Sequence, residues 1–367
     1  MDRLAEIRAK HAAVAQYLAD RNLDGVILAR RENFAWLTAG GDNHVPRNEE
    51  HGATSLLVTP DEITAITTNI EAPRMEAEEL CGTNIEVVSW PWYADAAEKS
   101  RELIAGRRFG SDNGVAGTPN ISSSFAQLRW VLYPGELERC VALGKDTGVA
   151  LEKAAMSLKP GMTEFEIAGM LAEELLSRGI EDTVNLIAVD ERIERFRHPI
   201  PTNKVLNKQA MLVVCARRGG LIVAATRLVY FGRPPEQLKD KHQAVCRIEA
   251  AMYAATVPGK PMGDALAAGI DMYAKCGYGE EWKLHHQGGP IAYNNREFIV
   301  VPGMQTLVLE NQPFAWNPSI TGTKGEDTII TNSTGFSVVT AGSGQWPMVA
   351  VDIDGQNILR PDILVVE

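Results

Sequence analysis

The feature that most restricts how this chain can fold is a repeated unit. Pro160-Gly161-Met162-Thr163 opens a stretch that closes at Arg178-Gly179, and Pro258-Gly259-Lys260-Pro261 opens another that closes at Cys276-Gly277, with both ends displaced by the same 98 residues. Each copy runs from a Pro-Gly turn through a helical pattern to a terminal glycine, the residue that ends helices in the left-handed conformation. Equal offsets predict a duplicated helical unit. Two copies this far apart make a pseudo-symmetric domain rather than a solenoid, whose repeats are shorter and more numerous. A binding site between the halves follows naturally.

Strand patterns come after each copy. Met211 to Ala216, a turn at Arg217-Arg218-Gly219-Gly220, and Leu221 to Val229 read as a hairpin. Two further strands are predicted over Thr306-Leu307-Val308-Leu309-Glu310 and Glu326-Asp327-Thr328-Ile329-Ile330-Thr331. A glutamate ends the first and begins the second, and a charge in apolar surroundings needs a reason.

The first third of the chain has a different rhythm. Leu4, Ile7, His11, Val14 and Leu18 recur at helical spacing up to Asn22. Short β-branched runs at 25–29, 54–59 and 63–68 follow, with helical stretches near 71–80 and 94–105. This is an α/β N-terminal domain. Pro134-Gly135, directly before the helical pattern Leu137 to Leu158, marks its end. The expected domains are 1–132 and 133–367, in keeping with a chain of 367 residues.

Composition excludes several classes of function. No apolar run approaches the roughly 18 residues that span a bilayer, and the charged start, Met1-Asp2-Arg3-Leu4-Ala5-Glu6, lacks a secretory core, so a cytoplasmic protein is expected. Five cysteines without a C-x-x-C pair read as buried thiols, neither a zinc knuckle nor a disulfide framework. A net charge of −11 argues against nucleic acid as a partner.

Five segments together resemble the superfamily of creatinase, prolidase, aminopeptidase P and methionine aminopeptidase. They are Pro160-Gly161-Met162-Thr163-Glu164, the hairpin ending in Thr226-Arg227, His285-His286-Gln287-Gly288, Pro302-Gly303-Met304, and Gly325-Glu326-Asp327-Thr328. The resemblance covers nearly the whole chain. It implies a creatinase-like α/β N-terminal domain and an α+β pseudo-symmetric "pita-bread" C-terminal domain. It also implies a homodimer in which one subunit's N-terminal domain borders the other's pocket.

In the metallopeptidases of that superfamily, two aspartates of the hairpin, one histidine and two glutamates hold two metals. Here the resemblance aligns Val213 and Ala224 with the aspartates, His285 with the histidine, and Glu310 and Glu326 with the glutamates. Loss of two hard ligands predicts that the two-metal site is gone and that no cofactor is bound. The remaining pattern is similar to creatinase, which hydrolyses without metal. His198, in Arg197-His198-Pro199-Ile200-Pro201-Thr202, falls on the catalytic histidine, and Arg296 falls on an arginine that binds the substrate carboxylate. Tyr293 keeps the same spacing, Arg47 lies where an arginine reaches the neighbouring subunit's pocket, and Thr226 replaces a glutamate that grips a guanidinium group.

The preferred reading is therefore a metal-independent hydrolase of a C–N bond in a small, carboxylate-bearing, amino-acid-derived substrate. His198, Glu310, Glu326 and His285 are the catalytic candidates, and Arg296, Arg47, Tyr293 and Thr226 the substrate-binding ones. Two unneutralised glutamates lying close together would raise a carboxyl pKa. One alternative is an Xaa-Pro peptidase with a single divalent metal on His285, Glu310 and Glu326, and another is a non-catalytic binding protein. Taken by residue type alone, the run Arg192-Glu194-Arg195-Arg197 reads as a solvated face, and Trp282 and Trp316 as core or pocket lining.

Overall fold

The apolar stripe at the N-terminus becomes a helix, Arg3–Arg21, capped by the Asp2 side chain and closed by Asn22 in the left-handed conformation (φ 54°). The computed structural model describes residues 1–367 and divides them into two units, Met1–Glu136 and Leu137–Glu367. In the first unit, strands β1 (Gly25–Arg30), β2 (His51–Val58), β3 (Ile63–Thr68), β4 (Glu86–Trp90) and β5 (Phe109–Ser111) form one mixed sheet in the order β4-β3-β2-β1-β5. Ile27, Leu57, Ile66, Ile104 and Phe109 pack on it as a core.

The second unit contains both copies of the repeat, as helices Glu164–Leu176 and Met262–Lys275. Gly179 (φ 66°) and Gly277 (φ 84°) follow them in the left-handed region, and no atom lies near where a Cβ would stand at either. Backbone conformation, not packing, selects glycine there. The copies match further: Gly161 donates its N–H to the Leu206 carbonyl (2.8 Å), and Gly259 donates to that of Val308 (2.9 Å).

The strands of this unit are β6 (Glu181–Val189), β7 (Gln209–Arg218), β8 (Leu221–Phe231), β9 (Gly288–Pro290), β10 (Pro313–Trp316), β11 (Ser319–Ile320), β12 (Thr323–Lys324), β13 (Asp327–Asn332), β14 (Gly335–Val338), β15 (Met348–Ile353), β16 (Gln356–Pro361) and β17 (Leu364–Val366). Two four-stranded sheets result, ordered β17-β8-β7-β6 and β14-β13-β10-β9. The predicted hairpin is β7–β8, in register from Gln209↔Tyr230 to Arg218↔Leu221. The predicted strand over Thr306–Glu310 is not a ladder strand. Leu307 makes one isolated bridge to Pro261, and the sheet instead takes up β10, seven residues later, where Phe314, Ala315 and Trp316 are fully buried.

The cysteines are all free. Cys140, Cys215 and Cys246 are buried, but Cys81 is exposed and so departs from expectation. No helix is long and apolar enough to cross a membrane.

Candidate functional site

The two sheets are stitched together along β8 and the chain entering β13. Thr226 N–H donates to the Glu326 carbonyl (2.9 Å), while the Thr328 hydroxyl accepts from Ala224 N–H (2.8 Å) and donates to the Ala224 carbonyl (3.0 Å). The next residue, Asp327, is clamped from below. Its carboxylate accepts from Arg227 (3.1 Å), Thr340 (2.6 Å) and Arg360 (2.7 Å), and Arg360 also reaches the buried Glu249 (2.8 Å). Such a buried network of charge-assisted hydrogen bonds fixes the backbone on which Glu326 stands.

Glu326 is fully buried and accepts three hydrogen bonds: from Thr226 Oγ1 (2.9 Å), Lys324 Nζ (2.7 Å) and Arg296 Nη2 (2.7 Å). Lys324 precedes it by two residues, so in extended chain both side chains fall on one face. Burial alone would raise the carboxyl, but the charges of Lys324 and Arg296 outweigh it and hold Glu326 at about 2.

Three imidazoles stand beside this cluster. His198 sits on a loop tethered at both ends. The buried Glu164 carboxylate accepts from Thr202 N–H (2.9 Å) and Thr202 Oγ1 (2.7 Å) and contacts Arg192, which also donates to the Ile200 carbonyl (3.0 Å). On the other side Arg197 donates to Glu281 (2.6 Å) and Thr321 (3.0 Å). His285 and His286 leave a short turn, Glu281–Leu284, and are held by Gln287, whose amide donates to the Trp282 and His285 carbonyls. His285 Nε2 lies 3.0 Å from His198 Nε2, and the rings of His285 and His286 stack at 4.4 Å.

Burial, reinforced by Lys324, pushes His285 down to about 2; burial, reinforced by Arg296, takes His286 to about 4. His198 is lowered as well, by burial and then by Lys324. All three are therefore neutral at pH 7.

A cavity of about 300 Å³ opens among these groups, lined by His198, His286, Arg296, Lys324, Glu326 and Asn317, with Val213 and Cys215 on its apolar wall. Burial pushes the Cys215 thiol up to about 11, so it offers no thiolate there. A second cavity of about 420 Å³ lies against His285, His286 and Trp282.

Of the expected site residues, His198, His285, Glu326, Arg296 and Thr226 come together. Glu310 does not: it lies exposed in a turn before β10, and the residue leaving β10 into the pocket is Asn317. The expected pair of mutually repelling carboxylates is thus replaced by one carboxylate between two cations. Tyr293 is buried, its backbone N–H donating to Glu297 (3.0 Å), and it does not line the 300 Å³ cavity. Arg47 belongs to the first unit and is exposed. Arg192 and Arg197 are tethers, not the solvated face expected of them, and Trp316 is core, its indole N–H on Thr256 (2.9 Å). Lys324 and Asn317 are not among the expected residues, and His286, part of the His285-His286-Gln287-Gly288 segment, lines the cavity beside the paired His285 and His198. The i, i+2 spacing of Lys324 and Glu326 was the available signal for the first.

Residues 142–337, more than half of the chain, match the model described as metallopeptidase family M24. A curated relative, the Xaa-Pro dipeptidase of Lactobacillus helveticus, is 23% identical over 274 residues, 71% of this chain and 74% of that protein. Two solved structures share the fold. Dipeptidase PepE from Mycobacterium ulcerans aligns with a TM-score of 0.77 at 17% identity over 100% of this chain and 99% of that one. The prolidase from Pyrococcus horikoshii OT3 aligns at 0.76 and 18%, over 90% and 98%.

The match to a metallopeptidase family corrects the expectation of a cofactor-free protein, because metal dependence is the family's character. The donors of this chain nevertheless do not fit a pair of ions bridged by carboxylates. Val213 and Ala224 are apolar, Asn317 brings a neutral amide whose buried Oδ1 has no partner, and Glu326 is already shared by Lys324 and Arg296.

Proposed function

Since the chain belongs to metallopeptidase family M24, within the creatinase/prolidase/aminopeptidase P superfamily of C–N bond hydrolases, we propose that it is a peptidase of the Xaa-Pro dipeptidase class, acting on a small substrate with a free carboxylate. The observation that carries this reading is the pair Arg296 and Lys324 set against the single carboxylate of Glu326. Two cations on one anion leave positive charge in excess in a cavity of about 300 Å³, a volume suited to a small ligand. Arg296 Nε, buried and without a partner, adds an unused donor. A dipeptide carboxylate supplies the missing negative charge and acceptors.

The proton chemistry falls to the histidines. Neutral at pH 7, His198 can take a proton from the attacking water and return it to the leaving nitrogen, and it is the most exposed of the three. His285 orients it through the 3.0 Å contact. Arg47 enters the proposal only through a homodimer, in which it would reach the partner's pocket.

Hydrolysis of Xaa-Pro dipeptides is to be compared with that of their C-terminal amides, both with divalent metals supplied and in chelator. Turnover of the free acids, with a loss of about 100-fold or more in kcat/KM for the amides, is expected. Binding without product would leave a non-catalytic binding protein, and equal turnover of acid and amide would remove the carboxylate role of Arg296 and Lys324.

A further inference from the structure

Of the carboxylates that would hold two ions the pocket keeps only Glu326, yet it has gathered three imidazoles. His198, His285 and His286 each present a ring nitrogen, and these atoms all lie within 4.8 Å of one another. We infer that the three form a mononuclear metal site of nitrogen ligands, distinct in donor type from a carboxylate-bridged pair and sharing only His285 with the ligand set of such a pair.

Three features support a built site. The ligands are held from separate parts of the chain: His198 by the loop tethered through Thr202 and Arg197, and the two adjacent histidines by the Gln287 amide. The ring nitrogens Nδ1 of His285 and His286 are buried and have no hydrogen-bond partner, so each imidazole keeps an unsatisfied polar atom. Finally, an ion bound by three side chains keeps open positions, and the 300 Å³ cavity that His198 and His286 line gives small molecules access to it.

The donor set selects the metal. Neutral imidazoles without carboxylates suit Zn²⁺, Co²⁺, Ni²⁺ or Cu²⁺ and discriminate against Mn²⁺ and Mg²⁺, which prefer oxygen. Lys324 and Arg296 oppose a nearby cation, and Glu326 offsets only one of them. With an ion bound His198 would be a ligand rather than a free imidazole, so the proton role proposed for it belongs to the metal-free protein.

The inference is independent of the substrate, because binding is read without one. Metal-stripped, full-length protein is titrated with Co²⁺ and followed by visible absorption, then challenged with Zn²⁺. The expected result is one Co²⁺ per chain with the absorption of a tetrahedral or five-coordinate nitrogen site, displaced by Zn²⁺ and bound far more tightly than Mn²⁺. His198→Asn, His285→Asn and His286→Asn should each weaken Co²⁺ binding about 100-fold or more. Lys324→Met should strengthen it. Two ions per chain, preference for Mn²⁺, or Co²⁺ binding that survives all three histidine substitutions would overturn the assignment. Hydrolysis of dipeptides has no bearing on it.

Discussion

At the scale of single residues, the pocket is governed by charge neighbours. Glu326 stays ionised because Lys324 and Arg296 outweigh the cost of burying it, so it is a fixed anion rather than a proton carrier. In the proposed reaction the proton then falls to an imidazole when no ion is bound. In metal-free protein His198→Ala is expected to lower kcat by roughly 10²–10⁴-fold with KM little changed, as for loss of an acid–base group; steady-state kinetics on an Xaa-Pro dipeptide in chelator reads this directly. Arg296→Ala should do the reverse and act mainly on KM, because a carboxylate is held in ground and transition states alike. The pH profile adds a sign. A base whose pKa is lowered from 6.5 remains neutral to lower pH, so the acid limb of kcat/KM should lie below 6.5. An acid limb above that value would mean that another group is titrating.

At the scale of elements, the loop that carries His198 depends on a helix that does not line the cavity. Glu164, first residue of the helix after Pro160-Gly161, accepts from Val189 N–H (3.0 Å) with one oxygen and from Thr202 with the other, and it also meets Arg192. Glu164→Ala leaves Arg192 and two backbone donors without their acceptor in a buried place. It should cost about 3 kcal/mol of stability, read from the urea midpoint. A loss below about 1 kcal/mol would mean that the tether is dispensable. This motif was legible in the sequence as a helix start, since Pro-Gly-x-Thr-Glu is local turn and capping chemistry; its hold on the His198 loop was not, because Thr202 is 38 residues away. The same division explains the strand error. Thr306–Glu310 and Pro313–Trp316 both read as short apolar runs, and only tertiary pairing with β9 and β13 decides that the second joins the sheet and carries Asn317. The hairpin, the duplicated helices and the position of Glu326 rest on periodicity and turn residues, and they were readable.

At the scale of the whole molecule, the inward placement of neutral histidines makes acid the weak side of this fold. His285 and His286 have ordinary values near 6.5 in the unfolded chain but about 2 and about 4 when folded, and burial pushes His198 and the enclosed His242 in the same direction. Below pH 6.5 the unfolded chain therefore binds protons that the folded one refuses, and the stability these groups contribute is present in full above 6.5 and drains away as the pH falls toward 4 and 2. Asp112 and Glu249, raised by burial, work oppositely, since folding helps them keep a proton. A comparison that isolates the histidines is needed. In chelator, to remove any contribution from bound metal, the wild-type urea midpoint should fall between pH 7 and pH 5. His285→Asn combined with His286→Asn, which removes two groups that cannot charge in place, should make that fall smaller. An equal fall in both proteins would locate the acid sensitivity outside His285 and His286, and a fall that grows in the variant would reverse the sign argued here.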